Sequence, residues 1–356
     1  MNENTKNNLI EKLKVASRRM EFKFDPTNPP DWPMQYRDSD GGTALHVCCN
    51  TSDTHDKHAL QCAKILIRLG LDINRKNNDR DTPLTLALNH HVEIAKLLIM
   101  CEATIGTVNK FGWSPIMIAA DRHPDLVPIL IRGFTNDIAA DKLTREKKKN
   151  VAALLNKTGR HGVSSIHYIV KYDRLNLWKF MVEYGADINT IDHDLNTVLH
   201  RAAQHDAYKI TKECLGKFTR NQVNHLNAKK RTALHNCLTT GPTTTSILLI
   251  RNTNLDIQDE DRETFLHKVA RAKENQTEHQ RQEPKKFRPH QLARLLILHN
   301  IDTHLKNKNG QDALEIASAT QNWLVMNAIA RDRQRKEFYQ KRLRLSQMEE
   351  QHNLGM

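Results

Sequence analysis

The chain has 356 residues, 54 Lys and Arg against 41 Asp and Glu, and a formal net charge of +13, with 38% hydrophobic and only 5% aromatic residues. No apolar run approaches the length of a membrane span, and the start Met1-Asn2-Glu3-Asn4-Thr5-Lys6 lacks the apolar stretch of a secretory signal. Cys48, Cys49, Cys62, Cys101, Cys214 and Cys237 form neither a disulfide framework nor a Cys-x-x-Cys pair, so a reduced, soluble protein of the cytoplasm, the nucleus or both is expected.

In chain order, residues 8 to 22 place Leu9, Leu13, Ala16 and Met20 on one helical face, and a Pro-rich connector spans 26 to 33. Residues 1–37 therefore read as a cap. From residue 38 the chain repeats itself. Five copies of a hydroxyl residue, a variable residue, an aliphatic and histidine begin at Thr43, Ser164, Thr197, Thr232 and Thr264. Weaker copies begin at Thr82, Ser114 and Asp312, and the eight are separated by 39, 32, 50, 33, 35, 32 and 48 residues. Four steps lie within two of 33, and the longer ones have room for insertions.

Each copy carries the same local chemistry. Five residues before the hydroxyl stand Asp38, Asn77, Asn109, Gly159, Asp192, Asn227, Asp259 and Asn307, types that suit a hairpin tip. Gly41, Gly112, Gly162 and Gly310 stand two before it in four copies. The hydroxyl caps a short first helix, and an aliphatic stretch such as Ala63–Ile67, Ile94–Leu98 or Leu295–Leu298 forms a second. Gly70 and Gly185 close two of these second helices. The frame Leu71-Asp72-Ile73-Asn74 then leads into the next hairpin and recurs at Ala186–Asn189, with Leu255–Gln258 and Ile301–His304 as partial copies.

These features resemble the ankyrin repeat family over residues 38–330. The resemblance implies an all-α ankyrin-repeat solenoid with short β-hairpin fingers, about eight repeats, and a structural role for the five histidines. It also implies a non-enzymatic protein–protein interaction scaffold or adaptor whose partner binds the concave face. No cofactor and no metal are expected. Cys48, Cys49, His55, His58 and Cys62 have ligand-type side chains, but their spacing matches no usual structural zinc pattern, which favours core packing of the cysteines. No phosphate loop, Gly-x-Ser-x-Gly or His-Glu-x-x-His supports an enzyme.

Partner-binding candidates are finger residues: Phe111, Trp113, Arg160, His161, Lys229, Lys230 and Arg231. Trp113 is either an interface anchor or a packing residue against a neighbouring repeat. The residue before each cap (Gly42, Asp81, Trp113, Val163, Asn196, Arg231, Glu263, Gln311) is expected on the concave face, free to vary. Insertions are expected near 139–157 and 275–290, the first with a helix bearing Lys142, Arg145 and Lys147–Lys149, and a charged helix or tail over 331–356. With these basic runs an acidic protein partner ranks above nucleic acid. A second reading resembles the IκB branch of ankyrin proteins, inhibitors of transcription factors, though a basic tail stands here where that branch often carries an acidic one. Leu66 to Asn74, and the same frame at Asn189, resemble the segment that the asparaginyl hydroxylase of hypoxia sensing modifies in ankyrin proteins.

Overall fold

The computed structural model describes residues 35–50, 57–237, 244–272 and 288–354. Helix pairs recur along the chain, the first helix of each opening at a repeat motif. Repeat one has α1 (Ala44–Cys49) and α2 (Lys57–Arg68), repeat two α3 (Pro83–His90) and α4 (Val92–Met100), and repeat three α5 (Pro115–Arg122) and α6 (Val127–Thr135). An additional helix, α7 (Arg145–Leu155), precedes repeat four, which is built from α8 (Ser165–Ile169) and α9 (Leu175–Glu183). Repeat five has α10 (Val198–Gln204), α11 (Tyr208–Lys217) and the short α12 (Arg220–Val223). Repeat six has α13 (Ala233–Asn236) and α14 (Thr244–Ile250), and repeat seven α15 (Phe265–Arg271) and α16 (Pro289–Leu298). Repeat eight has α17 (Ala313–Ala319) and α18 (Trp323–Leu354). The fold is all-α, with no strand among the described residues and only isolated bridges of β type, such as that between Thr158 and Ser164.

Two compact units divide the chain: residues 1–169 with 176–192, and residues 170–175 with 193–356. In the first, α1, α3, α5 and α8 stack as one layer and α2, α4, α6 and α7 as another. In the second, α10 stacks on α13 and α15 on α17, while α11, α14, α16 and α18 follow one another in the second layer. Of the aliphatic residues of the repeat motif, Leu45, Leu84, Ile116 and Ile166 in the first unit and Leu199, Leu234 and Leu266 in the second are buried, and Leu314 of repeat eight is half buried. Each burial of this kind contributes about 1.5–3 kcal/mol.

Local chemistry explains where the first helices begin. Ser114 Oγ accepts the Met117 N–H and Thr82 Oγ1 the Thr85 N–H, so the hydroxyl satisfies an orphan donor. Where histidine follows, the ring reaches back: the backbone N–H of Thr43 donates to His46 Nδ1 at 3.0 Å and that of Thr264 to His267 Nδ1 at 3.1 Å. In repeat eight Asp312 and Glu315 exchange these bonds as a carboxylate capping box. Histidine thus takes the place of the back-reaching Glu.

Two boundaries differ from the sequence reading. Pro289, expected inside the 275–290 loop, is the first residue of α16, where its missing N–H costs nothing. Repeat eight shows no break at residue 331, because α18 runs unbroken from Trp323 to Leu354. The cap helix over 8–22, the Pro-rich connector and residues 275–287 of the second insertion lie outside the described residues.

Candidate functional site

Six of the fingers are closed by the Asx residue five before the cap, Asp38, Asn77, Asn109, Asn227, Asp259 or Asn307, whereas finger four carries Gly159 there. Asn109 Oδ1 accepts the N–H of Phe111 at 3.0 Å and of Trp113 at 2.9 Å, and Asn227 Oδ1 accepts those of Lys229 and Arg231 at 3.0 Å each. The residue two before the cap has positive φ in all eight repeats: Gly41, Arg80, Gly112, Gly162, Leu195, Lys230, Arg262 and Gly310. Single backbone bonds join fingers one, two and three in the first unit and five, six, seven and eight in the second, as from Lys110 N–H to the Asp79 carbonyl and from Glu260 N–H to that of Lys229.

The residue just before the cap is structurally engaged in most repeats. Asp81, Val163 and Glu263 are buried. Asp81 Oδ1 accepts from Asn109 Nδ2, Asn196 Oδ1 from Asn227 Nδ2, and Arg231 Nε donates to Asp259 Oδ2. In each pair the residue before one cap braces the Asx residue of the next finger. Sequence reasoning missed this because the two partners stand 28 or 31 positions apart.

In the first unit, four candidate residues come together on fingers three and four. Phe111 is 47% exposed, Arg160 and His161 are exposed, and the half-buried Trp113 ring lies against Tyr168 of α8. The fingers touch closely here: a Cβ on Gly112 would fall 2.6 Å from the Arg160 backbone nitrogen. The result is an aromatic surface bordered by a cation and an imidazole.

In the second unit, Lys229 and Lys230 are exposed at finger six, whereas Arg231 is half buried on Asp259. Asp259 also takes Lys268 Nζ at 2.6 Å, and Lys268 lies 3.6 Å from Glu263, which pairs in turn with Arg271. Burial pushes both carboxyls up, but the cations and finger amides outweigh it and hold Asp259 and Glu263 below the usual carboxylate range. Arg231 therefore belongs to a buried ion network, and Lys229 and Lys230 carry the exposed charge.

The motif histidines act as structural braces. His46 Nδ1 accepts from Thr43, which places its ring proton on Nε2, and Nε2–H donates to the Asp81 carbonyl of the next repeat. His200 and His235 reach the carbonyls of Arg231 and Glu263 in the same way. Burial lowers the pKa of His46 and His267, and takes His235 down to about 4. Cys48, Cys49 and Cys62 are buried between α1 and α2, with the Cys49 thiol pushed up by burial. His58 is exposed and His55 lies outside the described residues. No three His, Cys, Asp or Glu among the described residues converge as metal ligands.

Asn74 occupies a structural position eight residues before the cap, with its N–H on Asp72 Oδ1 and its own Oδ1 accepting the Thr104 N–H at 2.7 Å. Asn156 serves Asp187, Asn224 serves Asn254 and Asp256 serves Asp302 in the same manner. Asn189 starts the same turn, its N–H donating to Asp187 Oδ1. Asn254-Leu255-Asp256 is therefore the equivalent of Asp72-Ile73-Asn74, two residues earlier than the letters Leu-Asp-Ile indicate.

The profile of ankyrin repeats matches this chain three times, over residues 5–109, 45–141 and 93–192, together more than half its length. The chain belongs to the ankyrin repeat family. Ankyrin repeats are a protein-interaction module, non-enzymatic as a fold. The inversins of Mus musculus and Homo sapiens are each 30% identical to this ankyrin chain over 172 residues, 47% of it and 14% of their own length. The chain thus spans about a seventh of those relatives. Among solved structures, the ankyrin repeat domain of Bcl-3, described as a unique member of the IκB family, matches with a TM-score of 0.49 at 17% identity. That match covers 71% of this chain and 99% of that domain. No described helix of this ankyrin protein is long and apolar enough to cross a membrane.

Proposed function

We propose that this chain is a non-enzymatic scaffold or adaptor whose fingers and first helices hold a protein partner. Phe111, Trp113, Arg160 and His161 would be the anchoring cluster of the first unit, and Lys229 and Lys230 a charged contact of the second. The observation that carries this reading is Phe111, a large aromatic left half exposed beside the Trp113–Tyr168 pair on a finger held rigid by Asn109. A rigid exposed aromatic beside a cation is the composition of an interface hot spot. No described residue favours the IκB-like alternative. The test compares partners recovered from cells by the wild-type chain with those recovered by Phe111→Ala and Arg160→Glu. A partner held equally by all three proteins, each melting normally, removes the cluster from the site.

Two subsidiary roles complete the reading. The exposed Lys148 and Lys149 of α7 and the basic residues of α18 would govern partner encounter or cellular location, since α7 keeps only Val151 and Leu155 in its buried face. Asn74 and Asn189 would be hydroxylation sites, because substitution at Cβ leaves the amide that makes the turn intact. Mass spectrometry of the full chain after incubation with the asparaginyl hydroxylase decides this, an unmodified Asn74 ending the idea.

A further inference from the structure

The second helix layer of the second unit holds a cleft of about 570 Å³ between repeats five and six, unlike anything on the fingers. Three apolar side chains, Leu215, Phe218 and Val223, line it together with the two cations Arg220 and Arg251, and no Asp or Glu is among its lining residues. Both arginines are exposed. Neither makes a side-chain hydrogen bond or ion pair among the described residues, whereas the nearby Lys217 is paired with Glu213.

The walls are fixed before any ligand arrives. Asn224 donates to the Arg220 carbonyl and accepts the Asn254 N–H, Asn252 donates to the Leu248 carbonyl, and Thr253 donates to that of Leu249. These bonds use the side chains of Asn224, Asn252 and Thr253 internally, so the two guanidinium groups are the charged donors left open, beside the exposed amide of Asn221. The C-terminal ends of α11 and α14 lie at this cleft, each contributing roughly half a negative charge. Two guanidinium groups exceed that by about one positive charge, so the cleft as a whole favours an anion.

From this juxtaposition of two open guanidinium groups with a small apolar wall of Leu215, Phe218 and Val223 in an otherwise polar cleft, we infer that the cleft binds an acidic peptide segment. The segment would present a carboxylate or phosphate group next to a large apolar side chain. The anionic oxygens meet Arg220 and Arg251, which suit planar, bidentate recognition. The apolar part packs against Phe218 and Leu215. No finger residue is involved, so this site and the finger-face reading succeed or fail separately.

The test uses the full chain and four small probes: phenyl phosphate, phenylacetate, inorganic phosphate and benzyl alcohol. Binding is read from the NMR resonances of Val223, Asn224, Asn252 and Thr253. Phenyl phosphate, phenylacetate or both saturate these signals, and the tighter of the two identifies the acid as phosphate or carboxylate. Inorganic phosphate and benzyl alcohol, each offering half of the chemistry, bind at least about tenfold more weakly. Arg220→Gln and Arg251→Gln each weaken the better probe about fivefold or more while melting as the wild type does. Should Arg220→Gln melt early, Arg251→Gln alone decides. Inorganic phosphate binding as tightly as phenyl phosphate, resonances that none of the probes moves, or unchanged affinity in Arg251→Gln overturns the inference.

Discussion

The Trp113 indole lies against the Tyr168 ring with centroids 4.9 Å apart and planes inclined by 35°. Finger three is thereby joined to the first helix of repeat four, and the tryptophan's packing role and its place beside exposed Phe111 become separable. Aromatic pairs contribute about 0.5–1.5 kcal/mol beyond area burial. Trp113→Ala should therefore lower stability by about that much or more, as measured by urea unfolding. Phe111→Ala should leave the melting temperature near the wild-type value while weakening partner binding by about 2 kcal/mol. Equal losses of stability in both variants would remove the distinction.

Acid should destabilise the repeats before it titrates the carboxylates. Burial depresses the pKa values of His46, His235 and His267, so the folded state refuses protons that the unfolded chain accepts near 6.5. The stabilisation is complete above about pH 6.5 and is lost as pH falls towards about 4, the value for His235. For a shift of that size the loss approaches about 3 kcal/mol at that one site. Urea midpoints measured at pH 7, 5.5 and 4.5 should fall in order, and a flat profile would falsify the neutral-histidine brace.

The ion network of repeats six and seven responds in the same direction but in a lower pH window. Asp259 and Glu263 are held below the usual carboxylate range, so their contribution is present above about pH 4 and disappears only below it. Asp259→Asn leaves Lys268 and Arg231 without their buried carboxylate and should cost about 3 kcal/mol or more. A variant as stable as the wild type would show that Glu263 alone satisfies both cations.

Leu195 offers a gain. It stands at a finger tip with φ of 57°, where three of the equivalent fingers of the first unit and repeat eight carry glycine. A left-handed non-glycine residue costs about 1–2 kcal/mol, against about 0.5–1 kcal/mol for glycine's extra entropy. Leu195→Gly should raise stability by about 0.5–1 kcal/mol in chemical denaturation. A loss instead would mean that the half-exposed leucine side chain packs more strongly than its backbone is strained.

Charge reversal at Lys148 and Lys149 should leave the unfolding free energy within the small range usual for surface changes, about 0.5 kcal/mol. The same variant should bind an acidic partner more slowly at low salt, with the difference fading as salt is added. Normal association at every ionic strength would reduce these residues to solvated surface.

The repeat, its caps and its period are legible in the sequence because they arise from contacts within about eight residues. A hydroxyl meets the N–H three positions on, an Asx side chain closes its own finger, and a histidine reaches back to its own cap. Alternation of short apolar stretches at this period dictates two helix layers, whatever lies between them. The role of the residue before each cap was not legible, since Asp81, Asn196 and Arg231 find partners one repeat away. Nor was the equivalence of Asp256 with Asn74, which rests on its bond to the Asp302 N–H rather than on neighbouring letters. Only the stacking of repeats brings such groups together and decides which charges become buried braces, as with Arg231, and which remain exposed, as with Lys229 and Lys230. Burial and hydrogen bonding depend on through-space neighbours, and in a stacked array those neighbours stand about one period apart in the chain.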